Sequence, residues 1–310
     1  MVAVLVLFHG ILIAQSNQAF KTFNDVGTRG IRAVGNRNIG CSGRLAHPSS
    51  LEAQLLMGRS YAQQVETTSK LISDPDVAEY VNRIGQNLAR NSETQVQLTF
   101  KIVDTDEVNA FSLPGGFIFV DSGVLLAADN EAELAGVISH ELAHVMACHD
   151  VQEIAREDLT EIASMPLIVR ILCRRAIRNV YLKPTRSFEA EADFLAVEYL
   201  HKAGYDPEAV SSFLQKVQAI EKRNRARRLN ALESDPPIAG RIKRTQQEID
   251  RLLPSASDYK LDTSEFQDIK KRLVELENRQ NMDKNPSGNG PRLNAPTQAL
   301  VSKFQASLRQ

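Results

Sequence analysis

The sequence predicts a mainly helical α+β fold with a small antiparallel sheet. Most of the chain from residue 50 to 253 repeats its apolar positions every three or four residues. One stretch near residue 100 switches to strict alternation, and a Pro-Gly-Gly turn then leads into a second short apolar run.

The elements follow in order. Residues 2–14 are almost wholly apolar, too short to span a bilayer comfortably and similar to the h-region of a secretory signal, with Ala14 a candidate cleavage site. No Lys or Arg precedes that run, so a buried N-terminal strand is the alternative to export. Residues 15–49 are rich in Gly, Asn, Ser and Arg without periodicity, and read as a flexible arm. A helix starts at Ser50-Leu51-Glu52-Ala53, and a second at Pro75-Asp76-Val77, whose Val77, Tyr80, Val81, Ile84 and Leu88 share one face. Val96, Leu98, Phe100 and Ile102 alternate as in a half-buried strand. Pro114-Gly115-Gly116 is a turn, and Phe117 to Val120 a second strand. A long helix from Asn130 to His149 follows, with Asn130 and Glu133 placed for a capping box. Helical patterning continues to Leu253, broken at Gly204–Pro207 and at Asp235–Pro237. The domain is therefore assigned to residues 50–253, with a C-terminal amphipathic helix within 254–280 and a disordered tail at 281–310.

Composition narrows the function. A formal net charge of -1, with 43% hydrophobic and 24% charged residues, supplies no basic surface for nucleic acid. Cys41, Cys148 and Cys173 are an odd, sparse set without a CxxC pair. They suggest neither a disulfide framework nor a cysteine zinc site, and Cys148 and Cys173 read as small core hydrophobes. The segment Ile162–Leu182 is apolar but carries four arginines, which exclude a transmembrane helix. Arg170, Arg174 and Arg178 form a stripe that suits a solvated helix face, and peripheral contact with anionic lipid stays open.

The chemistry concentrates at His140-Glu141-Leu142-Ala143-His144. On a helix the two histidines stand one turn apart on one face, and Glu141 lies beside them, able to act as a base without ligating the metal. Two histidines flanking a glutamate by chance is the bland alternative, made less attractive by the chain having only six histidines. His149 falls half a turn away and should point elsewhere, while a Cys148 thiolate would fill the position a reactive water needs. The third ligand candidate is Glu189, in Arg186-Ser187-Phe188-Glu189-Ala190-Glu191-Ala192-Asp193. Asp193, one turn on, could accept the free ring N–H of a ligating histidine. A solvated acidic face is the alternative here.

These pieces together resemble the M48 family of zinc metallopeptidases over most of residues 50–253. Asn109 to Gly116 with Phe117 to Val120 is similar to the segment preceding that family's active-site helix. Arg186, Glu189 and Asp193 match its Arg-x-x-Glu-x-x-x-Asp segment, in which the Glu ligates zinc. The resemblance, to the soluble periplasmic branch without tetratricopeptide repeats, implies a zincin-type metallopeptidase domain. It implies one Zn2+ per chain on His140, His144 and Glu189, with Glu141 as base and then acid. Asp193, Arg186, Asn109 and Arg241 would support the site or bind substrate. The implied activity is endopeptidase action on protein or peptide substrates, misfolded envelope proteins among them, in the periplasm or exported, with membrane association left open. Where members carry an inhibitory His-Pro before Arg-Ile, this chain has Asp235-Pro236 before Arg241-Ile242. Asp235 either ligates zinc in a latent state or belongs to an ordinary turn. The strand Phe117–Val120 is expected near the metal, its edge pairing an extended peptide. The rival reading is an exported chaperone-like or adaptor protein with a latent or structural zinc site, against which an intact Glu141 argues.

Overall fold

The computed structural model describes residues 34–35, 37, 39, 51–94, 96–152, 186–227, 238–253 and 258–284. The chain divides into two compact units after Thr263, and the first holds every element before the last helix. The architecture is mainly helical with one small sheet, an α+β fold.

Helix α1 (Leu51–Thr68) turns Gln54, Gly58, Ala62 and Val65 inward, a stripe at helical spacing. Helix α2 (Pro75–Arg90) begins where Asp74 accepts the Val77 N–H at 3.3 Å and Pro75 presets the first helical φ. Its expected apolar face is the face it buries, with Val77, Val81 and Leu88 at 0% exposure.

The sheet comprises β1 (Thr99–Val103), β2 (Ala110–Leu113) and β3 (Phe117–Asp121) in the order β1-β3-β2. β2 and β3 form an antiparallel hairpin, Ala110 opposite Val120 and Leu113 opposite Phe117. Gly115 and Gly116 turn it at φ +76° and +93°, a region that side-chain-bearing residues avoid. β1 pairs parallel with β3, from Thr99↔Phe117 to Val103↔Asp121. The sheet is thus mixed, not antiparallel as expected. Residues 104–109 reverse the chain after β1, and the hairpin reverses it again. β1 and β3 therefore run the same way, and β3 fills the place between β1 and β2. Being central, β3 has both edges paired, which overturns its expected role in pairing with a peptide.

Helix α3 (Ser122–Ala127) leads to α4 (Glu131–Met146), the helix around which the rest packs. The Asn130 side chain accepts the Glu133 N–H at 3.0 Å, and the Glu133 carboxylate accepts the Asp129 N–H at 2.8 Å. This is the expected capping box, reaching back one residue further than usual. Glu131 is buried and accepts hydroxyls from Tyr80 at 2.9 Å, Tyr205 at 2.7 Å and Thr263, with Lys260 3.3 Å away. Burial alone would raise its pKa, but those donors hold it below the usual carboxylate value, so the helix start is tied from four sides. Helix α5 (Arg186–Ala203) lies against α4, where the Ser139 hydroxyl donates to the Ala196 carbonyl at 3.0 Å. Helices α6 (Glu208–Arg227) and α7 (Ile238–Leu252) pack together and complete the layer. No described helix is long and apolar enough to cross a membrane.

Two further expectations change. Within the stretch read as a flexible arm, Val34 is buried, and Arg37 donates to Glu93 at 2.6 Å and to Glu198 at 2.7 Å. At these positions the arm is anchored. Cys148, read as a core hydrophobe, is disulfide-bonded. The second unit contains α8 (Ser264–Lys284), a helix where one was expected within 254–280, running four residues further. Residues 1–14, Cys41, Cys173, the arginine stripe, Asp235 and the tail from 285 lie outside the described residues.

Candidate metal centre

Helix α4 is almost wholly buried, yet His140 and Glu141 reach a cleft of about 790 Å³ that His144 also lines. The two imidazoles meet there because residues four apart on a helix stack one above the other. Their Nε2 atoms are 3.1 Å apart. Glu189, in the first turn of α5, brings one carboxylate oxygen to 3.7 Å from His140 Nε2 and the other to 3.5 Å from His144 Nε2.

These separations test whether the residues suit a metal. Donors bound at about 2.0–2.1 Å in tetrahedral geometry lie about 3.3 Å from one another. The distances, with a separate Glu189 oxygen facing each imidazole, lie near that value, and one ligand atom from each residue falls within 4.8 Å of the other two. Two imidazoles and one carboxylate are also a donor set that catalytic zinc takes, with a fourth position left open. The residues fit zinc.

The surrounding charge favours a cation. Burial opposes protonation of His144, but the hydrogen bond with Glu189 and the carboxylates of Glu141, Glu189 and Asp150 lift its pKa to about 9. Burial would likewise raise the pKa of Glu189, yet His144, His140 and Arg241 hold it far below the carboxylate range. The field that retains a proton here would also retain a divalent ion.

Asp193 sits one turn beyond Glu189, buried, with its Oδ1 3.1 Å from His140 Nδ1, within reach though not well aligned. Arg241, from α7, grips Asp193 with two bonds of 2.8 and 2.6 Å and also touches Glu189. Asp193 is thereby held below its usual pKa against the pull of burial, and Arg241 is held above its own. Asn109 lines the cleft at the start of β2. Arg186 does not reach it: the residue is exposed at the first position of α5.

His149 escaped the sequence-based reading. Extending the helix through residue 149 points it away, but α4 ends at Met146 and Cys148 takes φ +55°. That left-handed residue turns the chain back, and His149 Nδ1 arrives 3.1 Å from His144 Nδ1. Glycine is the usual signal for such a cap, and here a cysteine stands in its place. Phe188 and Glu191, both on α5, complete the surroundings of His149.

The family is decided by comparison with known proteins. The family description Peptidase family M48 matches residues 75–249, more than half the chain. This chain belongs to peptidase family M48. The M48 chain is 27% identical over 231 residues to a beta-barrel assembly-enhancing protease of Yersinia pestis, covering 68% of this chain and 47% of the relative. Its similarity to the Escherichia coli protein of the same name is 28% over 187 residues, covering 54% and 38%. With a mitochondrial metalloendopeptidase OMA1 of Bos taurus it shares 23% over 276 residues, covering 78% and 51%. The chain thus spans about half or less of the length of these curated relatives.

Proposed function

We propose that this M48 chain is a zinc-dependent endopeptidase that cleaves protein substrates, with His140, His144 and Glu189 as metal ligands and Glu141 as general base. The observation that carries the reading is the set of three candidate donors within 4.8 Å of one another inside a cleft that Glu141 also lines. Zinc bound there would act as a Lewis acid and bring the pKa of a bound water to about 7. Glu141 then takes the proton of the attacking water and returns it to the departing amine as the C–N bond breaks. Asp193 receives the Nδ1 face of His140, and Arg241 offsets the two carboxylates of α5 so that neither must be buried as an unpaired charge.

The edge strand β2 borders the cleft through Ala110, Phe111 and Ser112, with Val103 of β1 and Asp121 of β3 also in its lining. An extended peptide added to that edge would lie across the metal. The opposite wall is apolar, with Val210, Phe213, Leu214 and Val217 from α6 and Val137 from α4. An apolar substrate side chain is the natural occupant of that wall.

The names of the bacterial relatives and the apolar run at residues 2–14 support export, with action on misfolded envelope proteins. The Cys148 disulfide adds independent support, since such bonds persist in oxidising compartments. The rival reading, an adaptor with a structural zinc, calls for a closed shell of four protein ligands. Three such groups gather at this site among the described residues.

The test uses the full chain with casein as an unfolded substrate. Cleavage should stop on chelation and return with zinc, and metal analysis should find about one equivalent. His144→Ala and Glu189→Ala should each lose most of that metal. Cleavage indifferent to chelator, or full occupancy in both variants, overturns the reading.

A further inference from the structure

We propose that His149 is a positioning residue for the metal centre, accepting the Nδ1 proton of His144 and so setting the tautomer and aim of that ring. This rests on the reading of His144 as a ligand through Nε2.

The two Nδ1 atoms are 3.1 Å apart, and His144 and His149 are 4% and 1% exposed. Two ring nitrogens this close in a dry site share one proton, one donating and the other accepting. His144 Nε2 faces His140 Nε2 and Glu189, where a ligand must present its lone pair. The His144 proton therefore sits on Nδ1, and His149 Nδ1 is the acceptor. His149 then carries its own proton on Nε2, which faces Glu191 Oε2 at 3.4 Å. A directional chain results: His144 donates to His149, and His149 donates to Glu191.

The ring of His149 is itself held in place. Phe188 stacks on it, with ring centroids 4.2 Å apart and 15° between planes. Cys148, at φ +55°, supplies the reversal that delivers it. Phe188 and Glu191 flank the ligand Glu189 on the same first turns of α5, so the segment that supplies the third ligand also fixes the support of the second. The two histidine ligands are supported differently. His140 has a carboxylate, Asp193, at its Nδ1, whereas His144 has a neutral ring with the carboxylate one group further out. A neutral acceptor orients the ligand without adding another negative charge beside Glu141, Glu189 and Asp150, whose charges already act on His144.

The experiment measures zinc affinity of the full chain by competition with a chromophoric chelator, and the visible spectrum of the cobalt-substituted protein. His149→Leu keeps apolar contact with Phe188 but removes the acceptor, and its zinc affinity should fall about 10–100-fold with an altered cobalt spectrum. His149→Asn carries a carbonyl oxygen on Cγ, where the ring carries Nδ1, and should recover most of the affinity and the parent spectrum. Glu191→Ala leaves the ring in place but frees its far side, so a smaller loss in the same direction is expected even if His149→Leu folds poorly. Parent-like zinc affinity and spectrum in His149→Leu would overturn the proposal. Equal losses in His149→Leu and His149→Asn, with parent melting temperatures, would overturn it as well. A parent chain that binds no zinc instead removes the metal-centre reading on which it rests.

Discussion

Arg241 illustrates how the site divides its charges. The guanidinium spans Asp193 and Glu189, one turn apart on α5, so two buried carboxylates share one cation. Glu141 lines the cleft beside the two imidazoles, and its charge adds to those of Asp193 and Glu189 in holding Arg241 protonated. Glu141→Gln preserves size and polarity but cannot take a proton. It should keep about one zinc while casein cleavage falls about 10²–10⁴-fold; cleavage at the parent rate would refute the role given to it. A second carboxylate on α5, Glu198, behaves in the opposite way to Glu189. Burial outweighs Arg37 and, helped by Glu93, pushes its pKa up to about 7. Its unfolded value is about 4.3. The folded state therefore holds the extra proton between these values, and its contribution to stability is present below pH 4.3 and lost as pH rises through 7. Glu198→Gln should flatten the decline in melting temperature between pH 5 and 8, and an unchanged profile would argue against it.

At the scale of elements, the cleft is a groove between α4, α6 and the edge strand β2. The apolar residues Val210, Phe213, Leu214 and Val217 follow helical spacing along α6, so one helix face supplies a continuous wall. Val217 is only half-buried and can be changed with little risk to the core. Val217→Phe narrows the wall, and cleavage at sites with large apolar side chains should drop about 10-fold or more relative to small ones. Mapping casein cleavage sites by mass spectrometry measures this. An identical site pattern in parent and variant would mean that this wall does not contact the substrate.

For the whole molecule, the anchored arm matters most. Arg37 is the cation paired with both Glu93 and Glu198, while the Tyr199 hydroxyl donates to Glu93 at 2.5 Å. Removing one partner of a buried ion pair typically costs about 3–5 kcal/mol, because the other charges stay buried. Arg37→Ala, or deletion of residues before Leu51, should lower stability by about that amount in urea unfolding. Since Glu198 lies on α5 with Glu189, weaker zinc binding should accompany the loss. Stability equal to the parent in both variants would show the arm to be dispensable. The region matching the family begins only at residue 75, so this anchor lies outside it.

The sequence by itself determined the helical elements and the chemistry carried by short spacings. The apolar face of α2, the cap at Asn130 and the pairing of His140 with His144 all depend on residues within one or two turns, and local periodicity dictates such relations. It also nominated Glu189 and Asp193, because a second pair one turn apart has the same signature. Tertiary structure decided what depends on contacts distant along the chain. β2, four residues long, carries too little alternation to be seen, and whether β3 is central or at an edge depends on which strands pair across the sheet. Arg37 meets Glu198 across 161 residues, and no local pattern records that distance. His149 was misplaced because a single left-handed residue at Cys148 ends the helical periodicity, and no glycine announced it. Spacing decides which side chains share a helix face, whereas backbone reversals and long-range pairing decide what that face meets.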